Sequence, residues 1–519
     1  MIKIQLIDTS SHHYIVENLG LEYIASFLRD YDVEVKLSNI NRDNSIDENS
    51  AEIDEDCDIF GFAVFSSNLI SVFDIANWIK KRYPNKKIFV GGRFATEAPV
   101  QILDDCESID FVVLGDGEYP LLCIVEALKN NQPIDELPSI ITRFTLSKKI
   151  PSIMNVNESK WPSRDLLLQC MKKNLYSARI ISARGCCSNC SFCSHNNYTK
   201  ITKTRQWVGR EIVDVFNEIV SLNEKYNINS FIFNDGSFGD PGKLGKERIQ
   251  KFCNLILSQD KKFTFYIYIR ADTFTYRDIP LLKLMKTSGF TSVFIGLESA
   301  VEKELEIYNK KITVDMNKQS YKLFNNLGFH VTVGFIMLNP WSNKNSIRSN
   351  FNFLRELSIC SSDMFIKKLE VYYKSDIFYR LKNEKLLIID SDYKNMYNYK
   401  FIDPFINELD IAIVNLFQNA THFIKESDFN NFLIIFHELC HIYPSESKIF
   451  KDSIKSIQKR YSDEIKRYFS IIYIDNDIAK AVSKYDSFLE KIHEILKDFE
   501  KLKIRIITQK KLMPHFIKD

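Results

Sequence analysis

Four of the eleven cysteines in this 519-residue chain crowd into one short stretch, ISARGCCSNCSFCSHNN, at Cys186, Cys187, Cys190 and Cys193. So many thiols in one loop, with the other seven scattered singly, point to a metal centre and not to a disulfide framework. Structural zinc takes four ligands, usually as two pairs on separate knuckles. No second pair follows here, since Cys253, Cys360 and Cys440 stand alone. Three thiolates in one loop suit a [4Fe–4S] cube whose remaining iron is free for a small ligand. Spacing alone leaves two registers open, Cys186-x3-Cys190-x2-Cys193 and Cys187-x2-Cys190-x2-Cys193.

A second constellation belongs to a different chemistry. FLIIFHELCHIY contains His437-Glu438-x-x-His441. On a helix this sets two imidazoles on one face with a carboxylate between them, as in zinc metalloproteases. It lies in a helical tail without an evident third ligand. The expectation is a packed helix with partly buried histidines, and a zinc metalloprotease is the distant alternative.

The elements that must position these residues follow from periodicity. Residues 1–145 alternate apolar strands (IKIQLID, VEVKLSNI, CDIFGFAVF, KKIFVGG, IDFVVLGDGE) with amphipathic helices. This predicts an α/β, Rossmann-like (flavodoxin-like) domain with a parallel sheet covered on both faces. Ligands of such sheets bind outside the strands' carboxyl ends. Those ends carry Ser10, Ser11 and His12; Ser66 and Ser67; Gly91 and Gly92; and Gly115, Gly117 and Glu118. Tight turns explain any one of these pairs equally well, but four small or polar ends on one edge point to a ligand. Residues 146–176 read as a linker. Residues 177–375 hold about six βα units, from SARIISA to FIKKLEVYY, and predict a partial (β/α)6 TIM-type barrel with its site at the strand carboxyl ends. Residues 376–519 read as a mostly helical, Lys-rich domain.

RGCCSNCSFC resembles the signature of the radical SAM enzymes, with an aromatic residue, Phe192, before the last cysteine. The resemblance covers roughly 177–375. It implies that Cys186, Cys190 and Cys193 hold a [4Fe–4S] cluster chelated by S-adenosylmethionine, and that Cys187, where many relatives have proline, is a bystander. FIFNDGSF resembles the loop that holds the cofactor's amino group, which implies Asn234, Asp235 and Gly236. YIRAD and FIGLESA resemble strands whose polar ends meet its carboxylate and ribose, which implies Arg270 and Glu298. Phe192 is implied as a further contact.

The N-terminal domain resembles the cobalamin-binding domain of class B radical SAM methyltransferases in GLEYIASFLRD, KKIFVGGRFAT and FVVLGDGEYPLL. It reads Gly91-Gly92-Arg93-Phe94 where relatives often have Gly-Gly-Pro-His, and it lacks an Asp-x-His-x-x-Gly segment. Cobalamin is therefore expected above Phe65-Ser66-Ser67-Asn68 with no histidine on cobalt, His12 being the one nearby candidate. Together the resemblances imply cobalamin-dependent methylation of an sp3 carbon in a peptide or secondary metabolite. The alternative is a cyclase, epimerase or rearrangement without methyl transfer. They also imply a small-molecule or peptide substrate and an external electron donor such as flavodoxin or ferredoxin.

Composition narrows the field further. A net charge of +2 leaves no nucleic-acid-grade electrostatic footprint, which argues against a tRNA methylthiotransferase. Cys440 alone after residue 375 cannot support the extra clusters of some peptide maturases. The first residues lack a signal-peptide pattern, and no apolar run reaches the roughly 20 residues of a membrane helix, so a cytoplasmic protein without membrane contact is expected.

Overall fold

The computed structural model describes the chain apart from residues 11–16, 146–149, 173–176, 205–206, 389–392, 395–396, 418–421, 510–511 and 513–519. Ser11 and His12, and parts of the expected linker, lie outside the described residues. Six strands open the chain: β1 Ile2–Ser10, β2 Val33–Asn41, β3 Ile59–Ala63, β4 Lys87–Gly91, β5 Phe111–Val113 and β6 Ile140–Thr142. They form one sheet in the order β2-β1-β3-β4-β5-β6. The first five are parallel in the flavodoxin-like order. β6, which periodicity did not mark, adds antiparallel to β5. Apolar residues bury both faces, one core around Phe60, Phe62 and Val90, the other around Leu6, Phe89 and Phe111.

The second sheet has five parallel strands: β7 Ser177–Ile180, β10 Ser230–Phe233, β11 Thr264–Arg270, β12 Phe290–Glu298 and β13 His330–Phe335, ordered β13-β12-β11-β10-β7. Between β7 and β10 lie β8 Ala183–Gly185 and β9 Trp207–Gly209, an antiparallel pair of their own. SARIISA is thus two strands and not one. The break has a cause: the buried Asp235 carboxylate accepts from the Ser182 N–H (2.7 Å), the Ala183 N–H (3.1 Å) and the Ser182 hydroxyl, drawing the chain off the sheet. The expected sixth strand shrinks to a single bridge, Leu338 to Lys368. Beyond it the chain is diverted, with Asn197 donating to the Tyr373 carbonyl (3.2 Å) and Lys374 to the Glu97 carbonyl (3.0 Å).

The tail is helical, as expected, with long helices at Pro404–Phe417, His422–Ile442, Lys451–Tyr473 and Ile478–Ile507. The last two pack as a hairpin, with Tyr468 stacked on Phe488 at 4.1 Å between ring centres. One continuous hydrophobic core runs from Leu167 through the second sheet into these helices. The composition change near residue 376 is therefore not a break in packing.

Candidate active site between two facing sheet edges

The break after β7 lifts the cysteine loop over the carboxyl end of the second sheet. Arg248 fixes it from behind, donating to the Ser182 carbonyl (3.0 Å) and the Arg210 carbonyl (2.5 Å). At Gly236 a Cβ would press on the Gly185 carbonyl and the Cys186 side chain, so glycine lets the β10 loop lie against the cysteines. Cys190 is buried, Cys186 and Cys193 half-buried, and Cys187 exposed. Burial pushes the Cys186 thiol up to about 12 and raises Cys193 too. The Cys193 sulfur faces the His195 and Asn196 amides at the start of helix Ser194–Thr202. Cys186 and Cys193 each feel the charge of Cys190, and the Asp240 carboxylate acts on both Cys186 and Cys187. Among the described residues no three Cys, His, Asp or Glu side chains converge on a single metal ion.

The sheet's concave face is built in rows. On β11, Phe265, Ile267 and Ile269 pack into the core, so Tyr266, Tyr268 and Arg270 point the other way. The lowest row is Arg179, Ile232, Tyr266, Ser292 and His330. Above it stand Tyr268, Phe294 and Thr332, then Arg270, Gly296 and Gly334. Cβ atoms at Gly296 and Gly334 would crowd Glu298, and Gly296 would also crowd Lys310. Those two glycines make room for a buried ion pair, Lys310 Nζ to Glu298 Oε1 at 2.9 Å, with Lys310 also 5.9 Å from the Phe192 ring centre. Burial alone would discharge Lys310, and the Glu298 carboxylate more than offsets this, holding the ammonium above its ordinary range. Sequence reasoning missed Lys310. Nothing in NKKITVD separates it from Lys311; left-handed backbone at Asn309 and Lys311 turns it inward.

Other expected contacts divide. Asn234 and Gly236 are exposed on the loop, but Asp235 is buried with its oxygens taken by Ser182 and Ala183, and burial raises it to about 6. It braces the cysteine loop. Arg270 faces the same loop and not open space.

The two domains meet edge to edge. Arg184, just before the cysteines, pairs with Asp116 (2.9 Å) and Glu118 (3.8 Å) at the carboxyl end of β5. Arg93 lies 5.5 Å from the Tyr198 ring centre, on the helix that Cys193 begins, and influences Cys193. Along the N-terminal edge Phe65, Ser67, Gly92 and Arg93 are exposed, with Ser66 and Gly91 half-buried. Gly92 has φ +98°, which demands glycine. Asn68 pins the Phe65–Ser67 loop by accepting from the Phe65 N–H (2.8 Å) and donating to Thr9 (2.8 Å). At Gly115 and Gly117 an added Cβ would meet the Ser152 backbone and the Ile24 side chain, so close packing requires both glycines. Glu118 is buried against Arg184.

Residues 7–125 match the family of B12 binding domains and residues 180–354 the radical SAM superfamily. The chain belongs to the cobalamin-binding radical SAM enzymes. It is 28% identical over 352 residues to "Uncharacterized methyltransferase PH0819" of Pyrococcus horikoshii (66% of this chain, 73% of that one). It is 26% identical over 348 residues to the hopanoid C-3 methylase of Methylococcus capsulatus (66% and 64%). The matched segment thus spans about two thirds of these relatives. The fold is shared with the cobalamin-dependent S-adenosylmethionine radical enzyme OxsB, bound to aqua-cobalamin and S-adenosylmethionine (TM-score 0.71, 18% identity, 99% of this chain and 83% of that one). The enzyme's cofactors are accordingly a [4Fe–4S] cluster, S-adenosylmethionine and cobalamin. The residues present fit them, with two thiols that each feel the charge of a third in one loop and a glycine edge opposite, exposed at Gly92. No described helix is long and apolar enough to cross a membrane.

In this enzyme the HExxH stretch is a structural plug. Helix His422–Ile442 docks where the strands begin, with Glu438 accepting from Ser230 Oγ (2.8 Å) at the start of β10. His437 packs 4.9 Å from His330 in the lowest row. Burial, with help from Lys286, lowers His330 to about 4; burial and then the charges of His330 and Lys286 lower His437 to about 3. Both imidazoles are neutral at pH 7. Their folded pKa values lie below the unfolded value, so the unfolded chain binds more protons as pH falls below about 6.5. Stability is expected to drop from there towards pH 4, by up to about 1.4 kcal/mol per pH unit for each imidazole. Denaturant titrations should find this slope flattened by about one proton in His437→Gln. An unchanged slope, or stoichiometric zinc lost in that variant, would refute the plug.

Proposed function

We propose that this enzyme methylates an sp3 carbon of a small-molecule or peptide substrate, using cobalamin as methyl donor. The approach of the two carboxyl edges carries the reading: Arg184 beside the cysteines pairs with Asp116 and Glu118, and Arg93 overlies Tyr198. Methylating an unactivated carbon requires a hydrogen-abstracting centre and a methyl donor opening on one space. When bound, the cluster with S-adenosylmethionine supplies the radical and cobalamin the methyl group.

Cys186, Cys190 and Cys193 hold the cluster in this reading. Asn234 and Gly236, the exposed members of the β10 loop, receive the amino end of S-adenosylmethionine, with Asp235 bracing them from behind. Glu298 accepts from the ribose hydroxyls, with its Oε1 paired to Lys310. Phe192 forms an apolar wall against Tyr308. Ser66, Ser67, Gly91 and Gly92 line the cobalamin edge, with the described part of the Phe65–Asn68 loop offering no imidazole. A small reductant protein of the flavodoxin or ferredoxin type supplies the electron.

The test is anaerobic turnover of candidate substrates with methyl-deuterated S-adenosylmethionine, hydroxocobalamin and a reductant, read by mass spectrometry. A deuteromethylated product together with 5′-deoxyadenosine is expected. Product without label would assign the enzyme to cyclisation, epimerisation or rearrangement. Absence of 5′-deoxyadenosine under all conditions would overturn the radical reading.

A further inference from the structure

Arg270 ends β11, where the family resemblance implies contact with the carboxylate of S-adenosylmethionine. A guanidinium has five N–H donors. Here all five already have partners. Nε and Nη2 grip the two oxygens of Asp272 (2.9 Å each), and Nη2 also donates to the Lys310 carbonyl (2.9 Å). Nη1 donates to Ser188 Oγ and to Cys190 Sγ, the latter at 3.8 Å. The side chain is only 13% exposed. A carboxylate could reach this fork only by displacing one of those bonds.

We propose that Arg270 is a positioning residue of the cluster that sets its reduction potential through Cys190, and that it does not hold the carboxylate of S-adenosylmethionine. The inference rests on ligation by Cys186, Cys190 and Cys193 as read above. Reduction potentials of such clusters depend on nearby charge and on hydrogen bonds to the sulfurs. Adding an electron makes the ligand sulfurs more negative. A fixed cationic donor on one of them therefore stabilises the reduced form more than the oxidised form. Asp272 does not cancel this, because it binds the opposite side of the fork and leaves the Nη1 end aimed at Cys190. Ser188 closes the triangle, its hydroxyl 3.3 Å from Cys190 Sγ. The loop is thereby held in register with the donor.

The experiment is a redox titration followed by electron paramagnetic resonance on the full chain, reconstituted anaerobically, without S-adenosylmethionine. Affinity for S-adenosylmethionine is measured in parallel by calorimetry. In Arg270→Gln the ratio of reduced to oxidised cluster at a fixed potential should fall about tenfold, a midpoint about 59 mV more negative for this one-electron couple. Arg270→Lys should shift it less, in the same direction, and both should bind S-adenosylmethionine as the parent does. Weaker binding with an unmoved midpoint would return Arg270 to the cofactor's carboxylate and overturn the proposal. An unmoved midpoint with unmoved binding would reduce Arg270 to a loop brace and equally overturn it. Should Arg270→Gln take up no iron, Arg270→Lys decides: its midpoint should lie below the parent's, and an unmoved midpoint would refute the proposal. A parent protein that forms no [4Fe–4S] cluster would fail the cluster reading itself, a result separate from any effect of Arg270.

Discussion

Cys186→Ala, Cys190→Ala and Cys193→Ala should each reduce cluster iron from about four atoms per chain to near none, while Cys187→Ala keeps the full complement. The environments of the four thiols account for the difference. Cys190 is buried, and its charge is felt by both Cys186 and Cys193. Burial raises the Cys186 and Cys193 thiols, so assembly must release their protons and the bound metal must stabilise the thiolates. Cys193 has help from the His195 and Asn196 amides at a helix start, and Cys186 and Cys190 have Arg270. Cys187 shares Arg270 and Asp240 with Cys186 but is exposed, with its side chain and its N–H both on the Asp240 carboxylate. Iron and sulfide analysis of the four purified variants checks this. Loss of iron in Cys187→Ala with retention in Cys186→Ala would select the other register.

Arg164→Met should destabilise the chain by about 3–5 kcal/mol, the cost of stranding buried charge. Arg164 stands in the linker at φ +67° and donates to Glu17 (2.8 Å) and Glu218 (2.6 Å). Arg210 completes the network at 2.6 Å from Glu218, and the four side chains are at most 5% exposed. Glu17 stands just before the first helix, Leu19–Leu28, Glu218 belongs to a helix of the second sheet, and Arg210 follows β9, so the network ties the two domains together. With Arg164 removed, Arg210 still neutralises Glu218, and Glu17 is left with the Arg179 N–H. Glu17→Gln combined with Arg164→Met should therefore recover much of the loss. The measurement is the first transition in denaturant unfolding, since a chain of this size need not unfold in one step. Single and double variants with the same midpoint as the parent would show that the network carries no net stability.

The sequence by itself determined the elements whose periodicity is dense and local. The parallel N-terminal sheet, the five strands of the second sheet and the helical tail are legible because apolar repeats report burial directly. The cysteine spacing was equally legible, since a cluster's ligands must come from one short loop. Other features depended on contacts between distant residues. The break inside SARIISA exists because Asp235 pulls on Ser182 from another strand, and β6 exists because Ile140–Thr142 finds an open edge on β5. FIKKLEVYY has a strand's pattern, yet it is diverted by hydrogen bonds to Asn197 and Glu97. Spacing could not choose between Cys186 and Cys187, because the choice lies in which thiol is drawn in beside Cys190 and which stays exposed. Nor could HExxH declare itself structural, since Ser230, which engages Glu438, is more than two hundred positions away. Lys310 and the satisfied fork of Arg270 were invisible for the same reason. A pattern along the chain records which side of an element is buried, whereas the partner met on that side is fixed only when the chain has folded.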